Sequence, residues 1–328
     1  MKMRRLISAI IALLLVVNLS VTAFAAEWYL EDGDITVSAG DSGQTVSQGS
    51  STGVADNAPV IKQRDSSKTT DSTITISTSD NATANVTIQD INISSTGDAI
   101  DVGSSSANIT LEGDNKIYSE SGSALHVSDG DVTITGSGSL KAEIGDYEDN
   151  YNDNAKIGSH EDEDMSGKIH ITGSATVTTE DDGEDDFYGG DGAGIGSGYN
   201  GNMSGSITID ENAKVNAFSQ EDGAGIGSGE DGNMSGSITI SGNAQVTAGS
   251  GWDGAGIGAG ESDDDPPKSE MSGTITIGGN AKVTAWSEDS GAGIGAGEDG
   301  DVSGTIIIGG NAQVTAGSDD ESAGIGSG

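Results

Sequence analysis

Three short runs of alternating apolar and polar residues recur through the second half of the chain. From Ser206, Ile207 and Ile209 flank Thr208, and Ala213, Val215 and Ala217 then alternate with Lys214, Asn216 and Phe218. Just upstream, Ala193 and Ile195 alternate with Gly194 and Gly196 inside the heptad GAGIGSG at 192–198. A period of two sends successive side chains to opposite faces, so each run predicts a half-buried strand. The set begins again at Ser237, Thr274 and Thr305, with a period of 31 residues. An insert around Asp263–Glu270 lengthens one interval to 37. Weaker copies start at Asn85, Asn108, Asp131 and Lys168.

Three strands and three turns in one repeat describe a coil of a right-handed parallel β-helix. No single coil can bury its apolar side, so the core must come from stacking. Eight copies of the first strand predict a stack about 40 Å long. Two columns support this register. Met165, Met203, Met234 and Met271 each stand two residues before a strand-opening glycine, with Val302 as the fifth member, which predicts a buried methionine column. Asn212, Asn243, Asn280 and Asn311 share one turn position and predict an asparagine ladder, because Asn accepts turn conformations and can bond to the coil above.

Ahead of the coils, Lys2, Arg4 and Arg5 precede the apolar run LISAIIALLLVV, and Ala23-Phe24-Ala25 offers a small-x-small cleavage site. Residues 1–26 therefore read as a secretory signal peptide, 27–72 as an entry segment that caps the first coil, and 73–328 as the repeats. The chain stops at Gly328 in mid-coil, so a longer surface protein is expected. Without its leader the chain keeps 10 basic residues against 53 acidic ones, a net charge of −43. That sign disfavours nucleic acid and anionic membranes, and nothing after the leader is apolar enough to insert into a bilayer. There are no cysteines, so an exported domain must be stable without disulfides.

Candidate chemistry is sparse. Formal GxGxxG matches at 196–201, 227–232 and 295–300 run into further strands where a dinucleotide fingerprint needs a helix, so the heptad reads as scaffold, its glycines forming a smooth outer sheet. No catalytic residue stands out. His126, His160 and His170 fall on different strands or corners, and Thr87, Thr110, Thr133, Thr208, Thr239 and Thr276 form an outward column interrupted by His170 and Ile307. The outward face of the second strand is more informative. It presents Lys214-Asn216-Phe218, Gln245-Thr247-Gly249, Lys282-Thr284-Trp286 and Gln313-Thr315-Gly317 on successive coils. Phe218 and Trp286 are expected two coils apart, about 10 Å, with Trp252, Phe187 and Tyr188 near the same corner. This edge is a candidate carbohydrate platform of Phe218, Trp252 and Trp286, with Lys214 and Lys282 contacting hydroxyls or carboxylates. The same corner is acidic: 180–186 carries six carboxylates, and Asp222, Asp253 and Asp289 are candidate calcium ligands. No organic cofactor is expected. A solvated acidic surface and aromatics that merely cap the corner are the plain alternatives.

The heptads GAGIGSG and GAGIGAG, the strands SITI and TITI, and the segments GNAKVTA and GNAQVTA resemble exported repeat proteins of Gram-positive anaerobes. Those proteins are right-handed β-helices of the pectate-lyase-like superfamily. The resemblance covers about residues 73–328. It implies a secreted or wall-associated protein that binds plant or bacterial polysaccharide with calcium, or an adhesin-like surface protein. No catalytic residue carries over by position. A non-enzymatic carbohydrate-binding β-helix is thus the leading expectation, a structural spacer the second, and a polysaccharide lyase or hydrolase the third.

Overall fold

A computed structural model describes residues 25–79, 81–145, 152–179, 190–262, 269–319 and 322–328. Most of the leader, the acidic run 180–186 with Phe187 and Tyr188, and most of the insert lie outside these residues.

The alternating runs build three long sheets of ten, eight and twelve strands. Each sheet takes one strand from each coil, so neighbours in space are about one repeat apart in sequence. Ser206–Ile209 pairs in parallel with Ser237–Ile240 in the first sheet, and Lys214–Ser219 with Gln245–Ser250 in the second. In the third, the two-residue strand Ile195–Gly196 pairs with Ile226–Gly227. The chain is a right-handed parallel β-helix whose coils present like to like. Ile207 lies on Ile238, Val215 on Val246 and Ile195 on Ile226, and all six are buried. β-Branched residues suit such ladders because their fixed rotamers repeat without clash from coil to coil.

Both predicted columns are present. Met165, Met203, Met234 and Met271 bridge in parallel, all fully buried, and Val302 pairs with Met271. Asn243, Asn280 and Asn311 each donate a side-chain N–H to the Oδ1 of the Asn one coil back, at 3.2, 3.1 and 3.1 Å. Ten strands in the first sheet exceed the eight legible copies, because Glu27–Tyr29 and Val60–Lys62 from the entry segment join it. The third sheet ends in the only antiparallel pairings among the described residues, Ile35–Gly40 with Gly43–Gln48 and Gly43–Gln48 with Ser51–Ala55.

Two expectations change. The threonines form two columns: Thr87, Thr110 and Thr135 align, while Thr133 aligns with Asn108, His170 and Thr208. The first-sheet strands of the early coils have six residues and the later ones four, so matching by the first threonine shifts the register. The heptad glycines, expected to face outward, are buried in the four heptads from 192 to 297 and partly uncovered only in the last, at 322–328. The Ala193 N–H donates to the Ser197 carbonyl at 3.0 Å, which folds the heptad into a tight loop with Ile195 inside. Gly196 has φ +149°, and a Cβ placed there would lie 1.7 Å from the Gly227 carbonyl oxygen. The glycines are absent side chains at a backbone-on-backbone contact. The same loop recurs at Ala155–Ser159, where the Ala155 N–H donates to the Ser159 carbonyl at 3.0 Å and buried Lys156 stands in the place of Gly194.

Candidate functional site

The second sheet turns one row of polar side chains outward. Lys214, Gln245, Lys282 and Gln313 align, as do Asn216, Thr247, Thr284 and Thr315. Thr176, Thr178, Lys214, Asn216, Gln245 and Thr247 line a shallow groove of about 210 Å³ on this face. Lys214 and Lys282 are exposed two coils apart, as their register requires.

Phe218, Gly249 and Trp286 form the next column. The strand spacing separates the two aromatic backbones by about 10 Å. Their ring centroids are nevertheless only 6.4 Å apart, tilted by 35°. The rings lean toward each other across Gly249, where an added Cβ would come within 2.5 Å of the Trp286 indole. The expected pair of separate platforms is therefore one composite, half-buried aromatic patch, because the glycine between leaves space that apolar rings fill. Trp252 lies past the end of its strand and is 38% exposed. Its carbonyl accepts the Asp289 N–H at 3.3 Å, so it belongs to the corner and not to the aromatic column.

The corner carries carboxylates in two adjoining columns. Asp222 Oδ1 accepts the Asp253 N–H at 3.0 Å, Asp253 Oδ1 accepts the Ser290 N–H at 2.8 Å, and Asp153 Oδ1 accepts the Asp191 N–H at 3.3 Å. Each acid thus ties its coil to the next. Beside them run Glu230, Glu261 and Glu298, whose N–H groups donate to the Asp191, Asp222 and Asp253 carbonyls at 3.0, 2.9 and 2.9 Å. Oxygens of Asp191, Glu221 and Asp222 come within 4.8 Å of one another, and so do those of Asp222, Asp253 and Glu261. Burial, reinforced by the charges of Glu221, Asp153 and Asp222, pushes the Asp191 carboxyl up to about 7 against the hydrogen bond from Glu230. Its buried Oδ1 has no hydrogen-bond partner.

Asp222 and Asp253 are therefore brought together, and Asp289 is not with them. Ser290 occupies the equivalent position in its coil, one residue later, and Asp289 instead stacks on the Trp252 backbone. Glu261 completes the group in its place. Its signal was present in sequence, since a Glu follows the heptad at 230, 261 and 298.

His126 and His160 depart further from expectation. His170 is an outward strand residue whose Nε2 lies 3.1 Å from Asp210 Oδ1. His126 and His160, 34 positions apart, stack face to face with centroids 3.9 Å apart and planes within 9°. Asp98, Asp101 and Glu163 surround them. These early coils have irregular lengths, so a fixed period does not align the two rings.

Against known families, a model described as beta helix repeat matches residues 207–230, 238–261 and 275–298. Each window runs from a first-sheet strand through the second-sheet strand to the Glu after the heptad. No curated protein and no solved structure shows a significant match. Stacked sheets and matched windows agree that the chain carries β-helix repeats.

Proposed function

We propose that the protein is a secreted, non-enzymatic polysaccharide-binding β-helix of the bacterial surface, resembling the exported GAGIG-repeat proteins, and that calcium assists its binding. The observation that carries this reading is the outward face of the second sheet, where a rigid polar groove runs beside an aromatic patch. Parallel strands fix the side-chain rows at about 4.8 Å intervals, so an extended glycan lying across the coils meets a repeating set of donors and acceptors. Phe218 and Trp286 offer one apolar surface to a sugar ring, and Trp252 offers a second at the corner. Lys214 and Lys282 bind hydroxyls or uronate carboxylates, with Asn216, Gln245 and Thr247 between them.

The corner fits calcium by its donor chemistry. It presents only oxygens, on loops of adjoining coils, and Asp191 leaves a buried carboxylate oxygen without a hydrogen bond. Asp222, Asp253 and Glu261 would hold one ion, and Asp191, Glu221 and Asp222 a neighbouring one. Bound calcium neutralises stacked carboxylates and can accept oxygens of an acidic glycan.

Retention on a panel of immobilised plant and bacterial polysaccharides, with and without chelator, tests the reading. Trp252→Ala combined with Trp286→Ala is expected to weaken retention at least about tenfold, near 1.4 kcal/mol, without unfolding the helix. Lack of retention on every polysaccharide would instead favour a structural spacer, a reading that the mutual packing of Phe218 and Trp286 also accommodates. Release of unsaturated uronates would point to a lyase.

A further inference from the structure

Three consecutive coils contribute Asp98 and Asp101, His126, and His160 and Glu163 to one cluster at the N-terminal end of the stack. His126 sits on the strand Leu125–Val127 between two fully buried residues, so its backbone is fixed. Its Nδ1 lies 3.0 Å from Asp101 Oδ1 and 3.7 Å from Asp98 Oδ2. Asp98 Oδ1 lies 2.8 Å from His160 Nε2 and also accepts the Ser123 N–H at 2.9 Å. On the far side of the ring, His126 Nε2 lies 2.9 Å from Glu163 Oε2. That oxygen also accepts the His160 backbone N–H at 3.2 Å.

We propose that His126 Nδ1, His160 Nε2, Asp98 and Asp101 form a binding site for a divalent transition metal of the zinc class, with Glu163 orienting His126 from outside. Four donors placed tetrahedrally about 2.0–2.1 Å from zinc stand roughly 3.3 Å apart. Asp98 Oδ1 to His160 Nε2 at 2.8 Å and Asp101 Oδ1 to His126 Nδ1 at 3.0 Å, with the second Asp98 oxygen 3.7 Å from His126 Nδ1, bracket that value, and one imidazole turning out of the stack brings both lone pairs onto the ion. The ligand atoms of Asp98, His126 and His160 already lie within 4.8 Å of one another. The three carboxylates outnumber the charges that two imidazoles can carry, so an excess negative charge remains that a dication offsets. Glu163 on Nε2 supplies the carboxylate–histidine–metal arrangement that selects the tautomer with its lone pair on Nδ1. Imidazole nitrogens distinguish this site from the all-oxygen corner and select zinc-like ions over calcium. An ion held there ties three coils together where the repeat is least regular.

The test uses the protein without its leader, stripped with chelator and titrated with Zn2+ and with Co2+. One tight equivalent of Zn2+ that excess Ca2+ does not displace is expected, and Co2+ should give the intense visible bands of four-coordinate nitrogen and oxygen ligation. His126→Ala or His160→Gln should each weaken Zn2+ binding at least about 100-fold, and Glu163→Gln about 10- to 100-fold. Asp222→Asn with Asp253→Asn should leave it unchanged. Should a histidine variant fail to fold, NMR of the unaltered protein serves: Zn2+ should shift the ring protons of His126 and His160 at one equivalent and leave His170 unmoved. Zn2+ affinity unchanged in folded histidine variants, absence of the Co2+ bands, or equal shifts at all three histidines would overturn the proposal. Calcium dependence of glycan retention is read separately, so either assignment can fail alone.

Discussion

Replacing Gly227 with alanine tests whether the heptad glycines serve close stacking. Gly227 has φ +147°, and an added Cβ would lie 1.7 Å from the Gly258 carbonyl oxygen and 2.8 Å from its carbon. Both atoms are backbone of the next coil, so no side chain can rotate away. Restoring a contact of about 3 Å requires the coils to separate by over an ångström, or the loop to leave its conformation. Holding an L-residue in such a region costs about 1–3 kcal/mol. Separation also weakens the bonds from Ile226 N–H to the Gly256 carbonyl and from Ser228 N–H to the Gly258 carbonyl, both 3.1 Å, at about 1 kcal/mol each. The expected loss is about 3–5 kcal/mol, concentrated in the coils around the substitution. Gly278 is the control, since an added Cβ there meets nothing within 4 Å and its φ is not positive. Gly278→Ala should be neutral or stabilise by up to about 1 kcal/mol through the unfolded chain. Urea unfolding followed by circular dichroism, with amide exchange of the heptad N–H groups, measures both. Equal midpoints for Gly227→Ala and Gly278→Ala, with heptad protection unchanged, would refute the stacking argument.

Three further outcomes follow from packing and charge. Met234→Ala should cost about 2–5 kcal/mol and Met234→Leu less than about 1.5, because the position is fully buried between Met203 and Met271; equal losses in chemical denaturation would speak against a packed column. Asn243→Ala removes two ladder bonds at an exposed turn and should cost about 1–2 kcal/mol, with a larger loss than Asn311→Ala at the last rung. In chelator, burial holds the folded Asp191 carboxyl near 7 against an ordinary 3.8, so the native state retains a proton that the unfolded state gives up in that interval. Its stabilising contribution is complete below about pH 4 and is lost as the pH rises through about 7, an effect on the order of 2–4 kcal/mol. Asp191→Asn should flatten that decline in a pH series of unfolding midpoints, and an identical slope in both proteins would contradict it.

The repeat itself was legible because it rests on local periodicity. Alternation identified the strands, the 31-residue return from Ile207 to Ile238 and from Ile275 to Ile306 identified the coils, and the methionine and asparagine columns followed by counting. The same counting places Asp222 with Asp253 and leaves Asp289 one position out. What counting could not supply is the direction and reach of side chains between coils. Phe218 and Trp286 close to 6.4 Å only because Gly249 leaves the space between them empty, and the heptad glycines are buried because neighbouring backbones approach within contact distance. His126 and His160 meet because coils of unequal length bring a strand residue beneath a turn residue. Hydrophobic periodicity within one coil is a property of consecutive residues, and so the sequence alone determined the strands, the stacking and the core. Charge and ring contacts between coils depend on how turns of different length superimpose, and only the tertiary structure decided those.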